Sequence, residues 1–127
     1  MPRRAATAWT AALAPFVLTG CDQVATQPQT LAAADPGRGR RLIESVGCGA
    51  CHDIPGVRWP KSRVAPPLDG FAQRTLIAGR FANQPETLAL WVRNAPALAP
   101  QTAMPPMPLT EQEARDVAAY LYTLDAR

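Results

Sequence analysis

Cys48-Gly49-Ala50-Cys51-His52 is the stretch on which the reading of this 127-residue chain turns. Two thiols three residues apart can each add to one vinyl group of a single haem, and the imidazole next door then reaches the iron; C-x-x-C-H is the attachment signature for c-type haem. Other uses of the pentapeptide ask for features the chain lacks. A thioredoxin-like redox pair wants a βαβ context. A closed zinc site needs four ligands, yet His52 is the only histidine and the one further cysteine, Cys21, sits far upstream. A disulfide between Cys48 and Cys51 would leave His52 without a role.

Outward from the motif, composition points to a small domain completed by a prosthetic group. Length allows one globular domain and excludes a large multidomain enzyme. Hydrophobic residues make up 47% of the chain, but the aromatics are only three Phe, three Trp and two Tyr. The core is therefore thin, and small domains of that kind need a staple or cofactor. Fourteen prolines and eight glycines imply short elements joined by stiff irregular segments.

Residues 1–20 open with Arg3 and Arg4, continue through an acid-free apolar stretch from Ala8 to Leu18, and read as an export signal. That stretch is about half of the roughly 20 residues a spanning helix requires, and Pro15 interrupts it. Leu18-Thr19-Gly20-Cys21 resembles the lipobox of bacterial lipoprotein signal peptides, which implies cleavage before Cys21 and lipidation of its side chain. Asp22 resembles the signal that retains many such proteins on the inner membrane. The expectation is a lipid anchor on the periplasmic side of that membrane, with a soluble periplasmic form as second choice. Residues 21–34, mostly Gln, Thr and Ala, read as a flexible tether, with the folded domain over 35–127.

The pattern within that domain is helical, with no internal repeat and no strand pattern. Asp35-Pro36 reads as an N-cap and first helical position, Leu42, Ile43 and Val46 line one face, and Gly47 stops the helix directly before Cys48. Four prolines between Asp53 and Gly70 predict an irregular wrap. A short helix is expected over 70–78, and another from Pro85, carrying Leu88, Trp91 and Val92, that ends before Pro96. Pro105, Pro106 and Pro108 prevent any regular element before the last helix. There Thr110 and Glu113 form a capping-box pattern, and Ala114, Val117, Ala118, Leu121 and Leu124 recur at three and four.

This order of N-terminal helix, C-x-x-C-H, proline loop, methionine in a second proline-rich loop, and C-terminal helix resembles the class I, single-haem cytochrome c family over about residues 36–125. The resemblance implies an all-α fold of three to five short helices wrapped around one covalently bound haem c. Ala65-Pro66-Pro67-Leu68-Asp69-Gly70 resembles the family's G-P-x-L-x-G loop, where the Pro66 carbonyl would accept from Nδ1 of His52; Ala65 replaces the usual glycine. Thr102-Ala103-Met104-Pro105-Pro106-Met107-Pro108-Leu109-Thr110 resembles M-P-x-x-x-L-S/T. This makes Met104 the second axial ligand beside His52 and Met107 a gap-filler. Cys48 and Cys51 would carry the thioethers. Leu68, Trp91 and Leu98 are candidates for lining the pocket, though a Trp on an apolar helix face is more often simply buried, and Arg74 and Trp91 resemble positions that hydrogen-bond a haem propionate. The family also packs its first and last helices closely, here through Gly39 and Ile43 against Tyr120 and Leu121.

Both axial positions filled by His52 and Met104 would imply outer-sphere electron transfer without independent catalysis. The expected partners are membrane redox proteins, an oxidase above all. The alternatives are a fixed subunit of a dehydrogenase or oxidase complex, and, further off, a haem sensor or peroxidase. Loss of Arg3 and Arg4 leaves eleven basic against ten acidic side chains, and no basic run with interleaved aromatics supports nucleic-acid binding. Residues 37–80 nonetheless carry eight basic groups against three acidic ones. The resemblance implies that the segments flanking the haem motif lie around the exposed haem edge, so some of Arg58, Lys61, Arg63 and Arg74 are expected near the electron exit, facing an acidic docking surface; the alternative is a solvated loop whose charges only maintain solubility.

Overall fold

The computed structural model describes residues 31–125. The expected signal segment, the Cys21 lipidation site and the tether up to residue 30 lie outside the described residues. Three helices form the frame: α1 (Pro36–Val46), α2 (Pro85–Leu98) and α3 (Glu111–Leu121). A two-residue antiparallel pair, β1 (Leu76–Ile77) and β2 (Phe81–Ala82), is the only strand structure among the described residues, and the fold is a small all-α one.

Each helix end follows from local chemistry. The Asp35 carboxylate accepts from the Arg38 N–H at 3.0 Å to open α1, with Pro36 at the first turn, where its missing N–H costs nothing. Gly47 closes the helix in the left-handed region (φ 80°), its N–H returning to the Ile43 carbonyl. For α3, Thr110 Oγ1 accepts from the Glu113 N–H and the Glu113 carboxylate accepts from the Thr110 N–H at 2.7 Å, completing the capping box. Those Thr110 donors hold the Glu113 carboxyl below its ordinary range.

The crossing of α1 on α3 is closer than side chains would allow. A Cβ on Gly39 would stand 1.9 Å from the Asp116 carbonyl oxygen. Beside this contact the Asp116 carboxylate is fully buried, and it accepts from the Asp35 N–H at 2.9 Å and from Gln112 Nε2 at 3.2 Å while pairing with Arg38. Burial alone would raise its pKa; the Arg38, Asp35 and Gln112 donors outweigh that and hold it low. Ile43, Val117, Ala118 and Leu121 fill the seam, and Leu88 and Val92 of α2 join the same buried cluster.

Four sequence expectations are corrected. The helix expected over 70–78 is a single 3-10 turn at Phe71–Gln73, followed by the β1–β2 pair. Ala78 (φ 51°) and Gly79 (φ 67°) turn the chain left-handed there, and buried Asn83 donates to the Arg74 carbonyl at 2.9 Å. The pair itself corrects the expectation of no strand; two residues per strand is too short to leave a periodic pattern. Pro96 does not lie beyond α2: Asn94 breaks the helix (φ −152°, ψ 71°), and a further turn containing Pro96 continues to Leu98. Proline is tolerated there because the first-turn N–H groups have no intrahelical partner. Finally, packing begins upstream of Asp35, since Leu31 is buried and the Ala33 carbonyl accepts from Gln112.

Candidate haem-attachment site

The C-x-x-C-H segment begins where α1 ends. Gly47 redirects the chain into a 3-10 turn at Cys48–Ala50, and both the Cys51 and His52 N–H groups return to the Cys48 carbonyl, at 3.2 and 3.0 Å. Gly49 is buried beneath the Pro60 carbonyl, which a Cβ would approach to 2.1 Å. Cys48 is half-buried and Cys51 exposed, both as free thiols. Burial pushes the Cys48 thiol up to about 11.

Three hydrogen bonds lay the proline loop against this segment. Ala65 N–H donates to the Cys51 carbonyl at 2.8 Å, Leu68 N–H to the Asp53 carbonyl at 2.9 Å, and His52 Nδ1 lies 2.8 Å from the Pro66 carbonyl. A carbonyl only accepts, so Nδ1 carries the proton and Nε2 is left with its lone pair for a metal. Ala65 in place of glycine does not disturb this contact. Beyond it, Arg74 Nη2 donates to the Pro67 carbonyl at 2.6 Å and the Asp69 carbonyl at 3.1 Å, with the guanidinium 5.4 Å over the Phe71 ring. Arg74 thus braces the loop that positions His52.

The second proline loop holds both methionines half-buried. Met107 donates its N–H to the Arg93 carbonyl at 2.9 Å and packs against the buried cluster. Met104 N–H reaches Thr102 Oγ1 at 3.3 Å. Leu68 and Trp91 are half-buried against the same cluster, with Trp91 5.8 Å from the Phe81 ring, and Leu98 is half-buried. Two thiols at this spacing and an imidazole with its tautomer set form a donor set that fits a covalent haem. No group of three or more His, Cys, Asp or Glu residues among the described residues is placed to hold a metal ion.

Not all of the expected basic ring is free. Lys61 and Arg63 both pair with Asp53, at 3.1 and 3.2 Å, and with Lys61 foremost they hold its carboxyl below the ordinary range. Sequence reasoning also missed the Asn83–Tyr122 contact, where the Tyr122 hydroxyl donates to Asn83 Oδ1 at 2.9 Å, and burial pushes that phenol well above its ordinary range. The partners are 39 residues apart and no motif joins them.

Comparison with known proteins agrees with this geometry. The cytochrome c family model matches residues 37–125. The chain is 31% identical over 88 residues to cytochrome c oxidase subunit 2 of Alkalihalophilus pseudofirmus, a match spanning 68% of this chain and a quarter of that protein. Among solved structures, SoxXA from P. pantotrophus is similar at a TM-score of 0.56 and 27% identity, over 77% of this chain and 87% of that one. The chain belongs to the cytochrome c family and has its class I, all-α fold. Its cofactor is accordingly covalently bound haem c, and its chemistry is haem electron transfer.

Proposed function

We propose that the domain is a single-haem electron carrier in a respiratory chain, delivering electrons to a membrane oxidase from the periplasmic side of the bacterial inner membrane. The observation that carries the reading is the His52 Nδ1 contact with Pro66 at 2.8 Å, directly after two cysteines at the attachment spacing. In this reading Cys48 and Cys51 would hold the haem through thioethers and Nε2 of His52 would supply an iron ligand. Met104 would supply a second, soft ligand through its thioether, which favours the reduced state. Bound haem supplies the one-electron Fe(II)/Fe(III) couple. Leu68, Trp91 and Leu98 would shield the haem from water, Trp91 and the remaining N–H groups of Arg74 would be available to its propionates, and no independent catalysis is required. The Asp53 ion pairs leave less charge for steering toward an acidic partner than the count of cations implies. Cys21 carries the lipid anchor, an assignment that rests on the sequence alone.

The likeness to an oxidase subunit favours a second reading, a fixed subunit of a larger complex. Stopped-flow oxidation of the reduced protein by membranes from the same cell tests the first. Rapid turnover by protein added in trans supports a carrier. Failure to react in trans, together with copurification with an oxidase, establishes the subunit instead.

A further inference from the structure

Four large hydrophobic side chains are exposed among the described residues, and the two most exposed share one loop. Trp59 is 82% and Val64 85% exposed, against 45% for Leu76 and 44% for Leu90. Scattered exposed apolar residues are ordinary. Two nearly bare ones within Arg58-Trp59-Pro60-Lys61-Ser62-Arg63-Val64, interleaved with three cations, are a pattern.

The loop is firmly mounted. Val57 at its base is buried and bonded to the Ile54 carbonyl, Ala65 is bonded to Cys51, and Pro60 rests on Gly49. The Asp53 carboxylate braces Lys61 and Arg63 from within, while their side chains stay 58% and 80% exposed. Three cations against one carboxylate leave the loop an excess of positive charge.

We propose that this loop docks the domain on the headgroup layer of an anionic lipid bilayer. Trp59 and Val64 enter the interface, and Arg58, Lys61 and Arg63 meet lipid phosphates. Tryptophan settles at the headgroup level because its ring is apolar and its N–H wet, and cations beside it are drawn to anionic lipid. A protein partner is the competing occupant, since electron-transfer encounters are small, below about 1,200 Å² in total; two nearly bare apolar side chains set among cations favour the lipid interface, and comparison of bare vesicles with oxidase-containing proteoliposomes separates the two. A lipid surface demands no matching shape. Chain length agrees: Leu31 is ten residues from Cys21, and fully extended that reaches about 35 Å, so a domain anchored at Cys21 stays within reach of the bilayer. Only this last point rests on the lipid-anchor reading.

The test therefore removes the anchor. Haem-loaded, signal-processed protein carrying Cys21→Ser is sedimented with phosphatidylglycerol/phosphatidylcholine vesicles and with phosphatidylcholine alone. Binding is expected to the anionic vesicles only, to weaken with salt, and to drop roughly fivefold or more in Trp59→Ser/Val64→Ser while persisting in Leu76→Ser/Leu90→Ser. Circular dichroism and the haem spectrum check that each variant is folded. No binding by the parent protein overturns the proposal, as does equal loss in both double variants. Loss of binding to oxidase-containing proteoliposomes but not to bare vesicles also overturns it, and marks the loop as a protein contact. Intact mass of the exported Cys21 protein reports lipidation separately, so a failed anchor and a failed loop give different results.

Discussion

Replacing Gly39 with alanine should destabilise the haem-loaded protein by about 2–3 kcal/mol, although alanine is the better helix former by roughly 1 kcal/mol. The new Cβ would lie 1.9 Å from the Asp116 carbonyl oxygen and 2.9 Å from the Val117 nitrogen. These are backbone atoms, so no rotamer change relieves the clash. Restoring an ordinary carbon–oxygen contact of about 3.3 Å requires α1 and α3 to separate by roughly 1.4 Å. A gap of about 0.5–1 Å already forfeits a quarter to a half of each dispersion contact, and Ile43 and Val117, 1% and 2% exposed, belong to this core. The shift also stretches the Asp116 hydrogen bond from Asp35. Overpacking of this kind costs about 1–3 kcal/mol, occasionally more; with the stretched polar contacts added, the upper end or beyond applies, and subtracting the helix gain leaves the stated figure. Guanidinium melts of the holoprotein followed by far-ultraviolet circular dichroism measure it. Gly37→Ala is the control in the same helix, since its Cβ would meet only side-chain ends, Asp35 Oδ1 at 3.2 Å and Arg41 at 3.8 Å. That variant should stay within about 1 kcal/mol of the parent, the helix gain offsetting the small shift it asks of the capping Asp35 carboxylate. Equal midpoints for the two variants would refute the close crossing.

Asp116→Ala should cost about 2–4 kcal/mol, because it leaves the Asp35 N–H and Arg38 without their buried acceptor. The Asp116 carboxyl is held low in the fold, so its contribution is present above the ordinary carboxylate pKa near about 4 and is lost as pH falls through the folded value; stability of Asp116→Asn, measured from pH 6 down to pH 3, should fall less steeply than that of the parent. Tyr120→Phe removes the 2.7 Å hydrogen bond to the Pro55 carbonyl and should lower stability by about 1 kcal/mol in the same melts, with the haem spectrum unchanged.

The parts of the fold legible in sequence are those fixed by neighbours in the chain. Asp35-Pro36, Gly47 and the Thr110–Glu113 pair work within one helical turn, and all three act as their residue types imply. The contact of His52 with Pro66 spans 14 residues and was legible only through the family resemblance. What stayed hidden depends on tertiary partners. Nothing near Asp116 in sequence announces that it meets Asp35, 81 residues away, and nothing near Lys61 shows that it shares the Asp53 carboxylate with Arg63. The β1–β2 pair and the break at Asn94 are too short for any periodicity to register.

The central claim, a covalent haem held by Cys48, Cys51, His52 and Met104, is tested most directly by the exported protein's intact mass together with its oxidised spectrum. The account predicts a mass increased by one haem that survives denaturation, and a methionine–iron charge-transfer band near the red edge of the visible spectrum. Met104→Ala should abolish that band while haem stays attached, and Met107→Ala should keep it. A mature protein without haem, or a band lost in Met107→Ala and kept in Met104→Ala, would contradict the assignment.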